Sequence, residues 1–228
     1  MIKLITFDLD NTLWDTDPVI LRAEQACWDH LAKYYGDILQ HFDKVSLRKL
    51  KFELADEIPA LAHKVSEIRT FCIKQALLRA GYDELTAEQG SRDAFDVFFE
   101  ERQQVTLYDD AMDTLQALKQ RYRLGALTNG NASVALQRLG VFEFGYNAED
   151  YPAAKPAPDL FHAALATTGL TPQEVLHVGD HQEHDVFGAH QCGMQTAWYN
   201  PSGKVWSRDD CQPTYQLENL RQLTEILL

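Results

Sequence analysis

The chain is predicted to be an α/β protein with a doubly wound, mostly parallel sheet and a helical insertion. From residue 109 onward, short apolar runs alternate with amphipathic helical segments, which is the pattern of strands joined by right-handed crossovers. Residues 17 to about 106 instead keep helical periodicity with short breaks and contain no convincing strand. The helical stretch therefore enlarges the first crossover, directly after the opening strand.

Three helices are predicted within the insertion. The segment 17–31 opens with Asp-Pro, a typical helix start, and its apolar residues then recur at helical spacing. The segment 58–81 opens with Ile-Pro and stops near a glycine. A third helix is predicted to begin at Thr86, with Glu88 or Gln89 as its capping-box partner.

The remaining elements alternate between strand and helix. The predicted strands are 4–7, 123–127, 175–178 and 195–199. The predicted helices are 111–122, 133–139, 158–168, 185–192 and 217–227. Because a parallel α/β sheet binds its ligand beyond the carboxyl ends of its strands, polar residues that directly follow a strand are the candidate site residues.

Composition and charge narrow the classes of partner. The 228 residues carry 21 Lys and Arg against 34 Asp and Glu, a net charge of −13. This balance argues against a nucleic acid or an anionic membrane as the main partner. There is neither a signal-peptide pattern nor a run of 18 apolar residues, and the four cysteines form no CxxC pair. We expect a soluble, cytoplasmic protein with reduced thiols; the sequence does not indicate its oligomeric state.

The first strand end carries a pair of aspartates. Asp8 and Asp10 follow the apolar run 4–7, and alternation along a strand points both side chains to the same side. Two carboxylates held close together repel each other unless a cation or a proton lies between them. Taken alone, the pair indicates either a site for a hard metal ion and a nucleophile or a solvated acidic turn.

Three further motifs follow in order. Thr128 and Asn129 follow the second strand ahead of a glycine, so a hydroxyl and backbone N–H groups are available to an anion. Lys155 is followed by Pro156 and Pro158, ahead of a predicted helix. Asp180 follows the strand 175–178, with Asp185 five residues later. Each motif alone is more often a turn or a surface residue. Together they contain the groups needed for phosphoryl transfer.

This combination resembles the haloacid dehalogenase-like hydrolase superfamily. The resemblance rests on Asp8-Leu9-Asp10-Asn11-Thr12, Thr128, Lys155 and Gly179-Asp180 with Asp185. It implies a Rossmann-like catalytic core at 1–14 and 107–228 and a helical cap at 15–106. The Thr-Asn-Gly motif is similar to that of the branch containing N-acylneuraminate-9-phosphatase and a bacterial flavin mononucleotide phosphatase.

The resemblance implies a Mg²⁺-dependent phosphatase that acts on a small-molecule phosphate monoester such as FMN, a nucleotide or a sugar phosphate. Asp8 would be the nucleophile that forms an aspartyl phosphate, and the Asp10 side chain would be the general acid and base. Mg²⁺ would be held by the carboxylates of Asp8 and Asp180 and by the main-chain carbonyl of Asp10. Asp185 would orient Lys155 or support the metal by contacting its ligands.

The same resemblance implies the phosphate-binding residues. Thr128, Asn129 and neighbouring backbone N–H groups would bind phosphoryl oxygens, and Lys155 would stabilise charge on the nucleophile and the phosphate. His181 and His184 depart from the common pattern of the family. They are interpreted as hydrogen-bonding residues at the pocket rim or as a solvated helix face, with a softer transition metal as the less favoured reading.

Two alternatives remain open. A 2-haloacid dehalogenase uses the same aspartate nucleophile but needs neither Mg²⁺ nor an acid two residues later, so Asp10 and Asp180 favour the phosphatase. A non-catalytic binding or regulatory protein on the same fold is the other, and the intact motif set argues against it. Cap aromatics such as Trp14 and Trp28 either fill a core or stack on a flat substrate.

Overall fold

The structure is a computed structural model that describes residues 1–133, 135 and 139–228. It divides into two compact units, which we call the core unit, Met1–Asp15 with Thr106–Leu228, and the helical unit, Thr16–Val105. The boundaries predicted from the sequence lie one residue away from these. The role of the helical unit as a cap stays a prediction.

The core unit contains a six-stranded sheet in which every pair is parallel. Its strands are β1 Leu4–Phe7, β2 Arg123–Thr128, β3 Phe144–Asn147, β4 Val175–Gly179, β5 Gln195–Tyr199 and β6 Tyr215–Leu217. The strand order is β3-β2-β1-β4-β5-β6, so the direction of winding reverses beside β1. The predicted α/β, doubly wound, parallel fold is confirmed.

Helices flank this sheet and also make up the helical unit. The helical unit has α1 Thr16–Tyr34, α2 Lys44–Glu57, α3 Val65–Arg79 and α4 Glu84–Arg102. The core unit has α5 Ala111–Lys119, α6 Asp159–Thr168, α7 Gly188–Gln191 and α8 Gln222–Leu227. Short 3₁₀ turns lie at Gly36–Gln40, Pro59–Leu61, Ala148–Asp150 and Pro172–Glu174.

Each unit has its own apolar core. β1 is fully enclosed, with Leu4, Ile5 and Phe7 at 0% exposure, as expected for a central parallel strand that is covered on both faces. In the helical unit, apolar side chains at helical spacing meet in a single cluster that includes Leu31 and Phe98. The helical unit therefore has a core of its own, independent of the sheet.

Two predicted helix starts in the helical unit are wrong. Pro59 begins a separate 3₁₀ turn, and α3 starts only at Val65. α4 starts at Glu84 rather than at Thr86, because the Asp83 carboxylate accepts a hydrogen bond from the Thr86 backbone N–H and caps the helix there. The predicted capping box, which begins at Thr86 with Glu88 or Gln89 as its partner, is therefore wrong.

In the core unit, the predictions are wrong at the two edges of the sheet and in two of the helices. Strands β3 and β6 were not predicted, and residues 217–221, assigned to the last helix, precede α8. The predicted helix 185–192 is a π-helical segment, Gln182–Phe187, followed by α7. The predicted helix 133–139 lies largely outside the described residues.

None of the helices that the structure describes is long and apolar enough to cross a membrane. All four cysteines, Cys27, Cys72, Cys192 and Cys211, are free thiols, as the sequence predicts.

Candidate active site

The predicted site residues meet at the carboxyl ends of neighbouring strands. β1 lies between β2 and β4 in matched register, with Phe7 opposite Ala126 and Val178, so the residues that follow these strands emerge at the same edge. An open pocket at this edge is lined by Asp8, Asp10, Asn11, Thr128, Asn129, Gly130, Lys155, Asp180, His181, His184 and Asp185. Every predicted site residue is among them.

A tight loop after β1 fixes the two aspartates. Asn11 has a φ of 60°, a left-handed conformation that asparagine tolerates better than most residues. Its backbone N–H donates to the Trp14 carbonyl at 2.8 Å, and the Leu13 N–H donates to Leu9 at 2.8 Å. The indole of the fully buried Trp14 then donates to Asp10 Oδ1 at 3.0 Å. Trp14 therefore holds the Asp10 carboxylate in the loop.

Lys155 is the cation at the centre of the site. Its ammonium, 1% exposed, donates to Asp8 Oδ1 at 2.8 Å, to Asp185 Oδ1 at 2.6 Å and to the Leu127 carbonyl at 2.7 Å. All three ammonium protons are thus used. The Asn129 amide donates to the Lys155 carbonyl at 2.8 Å and accepts from the Lys155 N–H at 2.9 Å. The structure therefore gives the Asn129 side chain a role in positioning Lys155, and phosphate binding by Asn129 stays a prediction.

Asp185 is held by a buried network. Its Oδ1 also lies 3.2 Å from His177 Nε2, and its Oδ2 accepts from the His181 N–H at 3.0 Å. The other ring nitrogen of His177 lies 2.8 Å from Thr6 Oγ1. Burial lowers the pKa of His177, so the neutral ring accepts from the threonine and donates to Asp185. This contact set matches the predicted role of Asp185 in orienting Lys155.

Three carboxylates, those of Asp8, Asp180 and Asp185, share the single positive charge of Lys155. Burial would raise the pKa of Asp185, but Lys155 and the hydrogen bond from His177 hold it well below its usual range. Burial raises the pKa of Asp8 well above its usual range, and Asp185 and Asp180 add to that rise against the opposing charge of Lys155. Burial, followed by the charge of Asp185, raises the pKa of Asp180 to about 6. The cluster therefore carries more negative than positive charge.

A divalent cation fits this deficit. Carboxylate oxygens of Asp8, Asp180 and Asp185 all lie within 4.8 Å of one another. An all-oxygen donor set is the one that hard cations such as Mg²⁺ prefer. Both Asp185 oxygens already accept hydrogen bonds, so Asp8 and Asp180 are the carboxylates better placed to serve as ligands. The Asp10 carbonyl as a third ligand stays a prediction.

Thr128 and Thr12 supply hydroxyl groups at the site. Thr128, 2% exposed, accepts from the Gly130 N–H at 3.0 Å, which leaves its own O–H free to donate into the pocket. Thr12 donates to Asp8 Oδ2 at 3.3 Å and accepts from the Asp180 N–H at 3.1 Å. Thr12 thus connects the first and last motifs and orients Asp8.

Three residues support the site without belonging to its predicted set. Thr12 was quoted in the first motif but received no role, and His177 was treated as part of an apolar strand. A titratable side chain within such a strand was the available signal for His177. Trp198, whose indole donates to the Asp180 carbonyl at 2.9 Å, carried no signal that tied it to this loop.

His181 and His184 lie at the pocket with their rings stacked, 3.9 Å between centroids. His181 Nδ1 accepts from the backbone N–H groups of Glu183 and His184 at 3.2 and 3.1 Å, so it caps the π-helical segment. This fits the hydrogen-bonding role favoured from the sequence. Among the described residues, the acidic group that could hold a metal includes neither histidine.

Comparison with known proteins identifies the family. The model of the haloacid dehalogenase-like hydrolases matches residues 2–193. The chain belongs to this family. A curated relative from Escherichia coli K12, 5-amino-6-(5-phospho-D-ribitylamino)uracil phosphatase YigB, is 34% identical over 99% of this chain and 96% of its own length. Mouse N-acylneuraminate-9-phosphatase is 25% identical over 99% of this chain and 94% of its own.

A solved structure with a different name also matches. The crystal structure of a 2-haloacid dehalogenase from Pseudomonas syringae pv. Tomato DC3000 has a TM-score of 0.93 and 41% identity, covering 100% of this chain and 98% of that chain. The fold is therefore shared by proteins named for two different reactions. The predicted family, its phosphatase branch and the enzyme class of phosphoric monoester hydrolase are confirmed by the curated relatives.

Proposed function

We propose that the protein is a Mg²⁺-dependent phosphatase that hydrolyses a small-molecule phosphate monoester through an aspartyl phosphate on Asp8. The observation that carries the proposal is the carboxylate excess at the strand ends. Asp8, Asp180 and Asp185 place oxygens within 4.8 Å of one another around a single ammonium. A phosphatase of this kind needs a cation at that point, whereas a dehalogenase acting through the same aspartate does not.

Asp8 is the nucleophile. Thr12 and Lys155 each hold one of its oxygens, so the carboxylate is fixed in orientation at the pocket wall. One of its oxygens forms a bond to phosphorus while the bond from phosphorus to the leaving alcohol breaks, and water then cleaves the acyl phosphate and regenerates the carboxylate. Bound Mg²⁺ would neutralise charge on the phosphate and on Asp8 during both steps.

Asp10 is assigned the proton transfers. It lines the same pocket as Asp8, and Trp14 fixes the position of its carboxyl group. Its carboxyl would give a proton to the departing alkoxide in the first step and take one from water in the second. The Thr128 hydroxyl and the Asn129 N–H group would bind the phosphoryl oxygens, and the positive charge of Lys155 would stabilise them.

The substrate class is drawn from the relatives. The two curated phosphatases are named for a phosphoribitylamino-uracil and for an N-acylneuraminate 9-phosphate. We propose a phosphorylated small molecule of this size, with FMN, nucleotides and sugar phosphates as further candidates. A cytoplasmic location, and the absence of nucleic-acid and membrane partners, stay predictions.

A 2-haloacid dehalogenase is the rival function, favoured by the 41% identity to a structure of that name. The test is a panel of phosphate monoesters and 2-haloacids, assayed for phosphate and halide release with Mg²⁺ and with EDTA. We expect Mg²⁺-dependent phosphate release that Asp10→Asn abolishes. Halide release that persists in EDTA and in Asp10→Asn, with no phosphate release from any ester, would establish the rival.

A further inference from the structure

A second charged pocket lies within the helical unit, between α1, α2 and α3. It is a cavity of about 40 Å³ and contains none of the catalytic motif residues. Its walls combine apolar groups, among them the buried Cys27 and Cys72, with several long cationic side chains. A water molecule needs roughly 10–15 Å³ of such space, so the cavity has room for a group of a few heavy atoms.

Positive charge dominates this pocket. Its lining contains four cations, Lys44, Arg48, Lys51 and Arg69, and one carboxylate, Glu24. The chain as a whole has the opposite balance, with a net charge of −13. Lys44 and Arg48 are exposed to water, whereas Lys51 and Arg69 are half-buried, so an uncompensated positive charge costs most at the latter two.

Glu24 compensates only two of the four cations. Its Oε2 accepts from Arg48 at 2.7 Å and its Oε1 from Arg69 at 3.3 Å. Arg69, whose side chain is 14% exposed, also stacks on the Phe98 ring at 3.8 Å. These contacts hold the three helices together and explain the arginines as structural residues. They do not account for the lysines.

Lys51 is a half-buried cation of this pocket. In the part of the chain that the structure describes, its ammonium forms no ion pair, and its recorded contact is the Phe52 ring at 4.7 Å. Burial lowers the pKa of Lys51 to about 8; the charges of Arg69 and Arg48 add to this shift, and the charge of Glu24 opposes it. Lys44 donates to a neutral acceptor, the Gln25 amide oxygen. Among the described residues, neither the exposed Lys44 nor the half-buried Lys51 forms an ion pair with a carboxylate, although both line this small cavity.

We propose that this pocket binds a phosphate-sized oxyanion, held by Lys51 and Lys44 beside the Arg48–Glu24–Arg69 cluster. Charge-assisted hydrogen bonds from ammonium and guanidinium groups to an oxyanion would supply the missing negative charge. The cavity volume limits the occupant to a small anion or to the terminal phosphoryl group of a larger molecule. The site is independent of the reaction proposed for the core unit.

The tryptophans allow the two sites to be observed separately. Trp28 lines the cationic pocket, whereas the indoles of Trp14 and Trp198 donate to Asp10 and Asp180 at the catalytic site. Inorganic phosphate is titrated into the full-length, ¹⁵N-labelled protein in EDTA, and the indole N–H resonances are followed. Trp28→Phe assigns its own resonance. We expect a saturable shift of the Trp28 resonance.

Two matched variants on α2 serve as the control. Lys51→Gln should raise the Kd for phosphate, measured from the Trp28 resonance, by about tenfold, which corresponds to the loss of one charge-assisted hydrogen bond. Lys49→Gln removes an exposed lysine that pairs with Glu53, so its titration should match that of the parent protein. Shifts confined to Trp14 and Trp198, or an equal response in both variants, would show that the pocket does not bind the anion.

A second titration separates the two sources of the anion. Glycerol 3-phosphate is added in place of inorganic phosphate under the same conditions. If it moves the Trp28 resonance and the effect depends on Lys51, the pocket accepts a phosphoryl group on a carbon chain. If only inorganic phosphate does so, the pocket takes the free ion. A Trp28 resonance that responds to neither would overturn the proposal.

Discussion

The core unit and the helical unit contain charge clusters of opposite sign. At the strand ends, carboxylates outnumber the ammonium of Lys155, whereas between α1, α2 and α3 four cations share one carboxylate. Both clusters are partly buried, and in both the surplus charges have shifted pKa values, raised for Asp180 and lowered for Lys51. This difference in sign is the reason for proposing a cation at the strand ends and an anion between the helices.

The largest expected effect comes from removing the nucleophile. Asp8→Asn keeps the hydrogen-bonding shape but loses the attacking oxygen, so phosphatase activity should fall by about 10³-fold or more. Steady-state phosphate release measures it, and circular dichroism checks the fold. The same variant should leave the phosphate response of Trp28 unchanged. Turnover at the wild-type rate in Asp8→Asn would contradict the assignment of Asp8 as the nucleophile.

A glycine substitution tests how closely Asp185 must be placed. A Cβ on Gly179 would lie 2.3 Å from Asp185 Cγ, so Gly179→Ala must displace the carboxylate that orients Lys155. We expect kcat to fall by about 10²-fold, as for a displacement of about 1 Å. Gly36→Ala is the control, because its Cβ would meet nothing within 4 Å. Equal kcat values in the two variants would contradict the role of Asp185.

Metal binding should stabilise the protein in a pH-dependent way. The pKa of Asp180, about 6 in the folded protein, lies above the usual ~3.9, so the metal-free fold loses stability as pH rises through this interval. Mg²⁺ needs the deprotonated carboxylates, so its stabilisation should grow over the same interval. At a hundredfold excess over Kd it should reach about 2.7 kcal/mol.

Thermal unfolding with Mg²⁺ and with EDTA at pH 5 and pH 7.5 measures this effect. Asp180→Asn should lose most of it, while Asp109→Asn, which changes an exposed carboxylate of the same unit, should keep it. A Mg²⁺-dependent shift that is the same at both pH values would contradict the account of the carboxylate cluster.

A smaller effect is expected in the helical unit. Glu24→Gln leaves Arg48 and Arg69 without their carboxylate, at a cost of about 2 kcal/mol, between the values for exposed and buried pairs. It also raises the positive charge of the pocket, so the Trp28 titration should show tighter phosphate binding. Glu53→Gln breaks an exposed pair with Lys49 and should change neither quantity. Weaker phosphate binding in Glu24→Gln would contradict the proposed site.

The sequence predicts the parts of the molecule that follow from local pattern. The strands at whose ends Asp8, Thr128 and Asp180 lie are short and mainly apolar, so both the strands and the residues at their ends could be located. Strand β3, Phe144–Asn147, is half-buried at an edge and has the composition of a loop. Its pairing with β2 depends on the sheet already being present, which the local sequence cannot show.

Features that depend on contacts between residues far apart in the sequence could not be predicted from the sequence. Asp185, His177 and Thr6 form one hydrogen-bonded chain, although Thr6 and His177 are 171 positions apart. The pocket around Lys51 likewise needs three helices to pack before its charge excess appears. Side chains that act through such partners do not belong to a sequence motif, whereas Asp8 and Asp180 do.

The central claim is that Asp8 becomes phosphorylated during turnover. The direct measurement is rapid mixing of the enzyme with Mg²⁺ and an active phosphate ester, acid quenching within one turnover, and peptide mass spectrometry. The account predicts one phosphoryl group on the peptide that contains Asp8, absent in Asp8→Asn and absent in EDTA. Phosphate release in which this peptide stays unmodified at every quench time would contradict it.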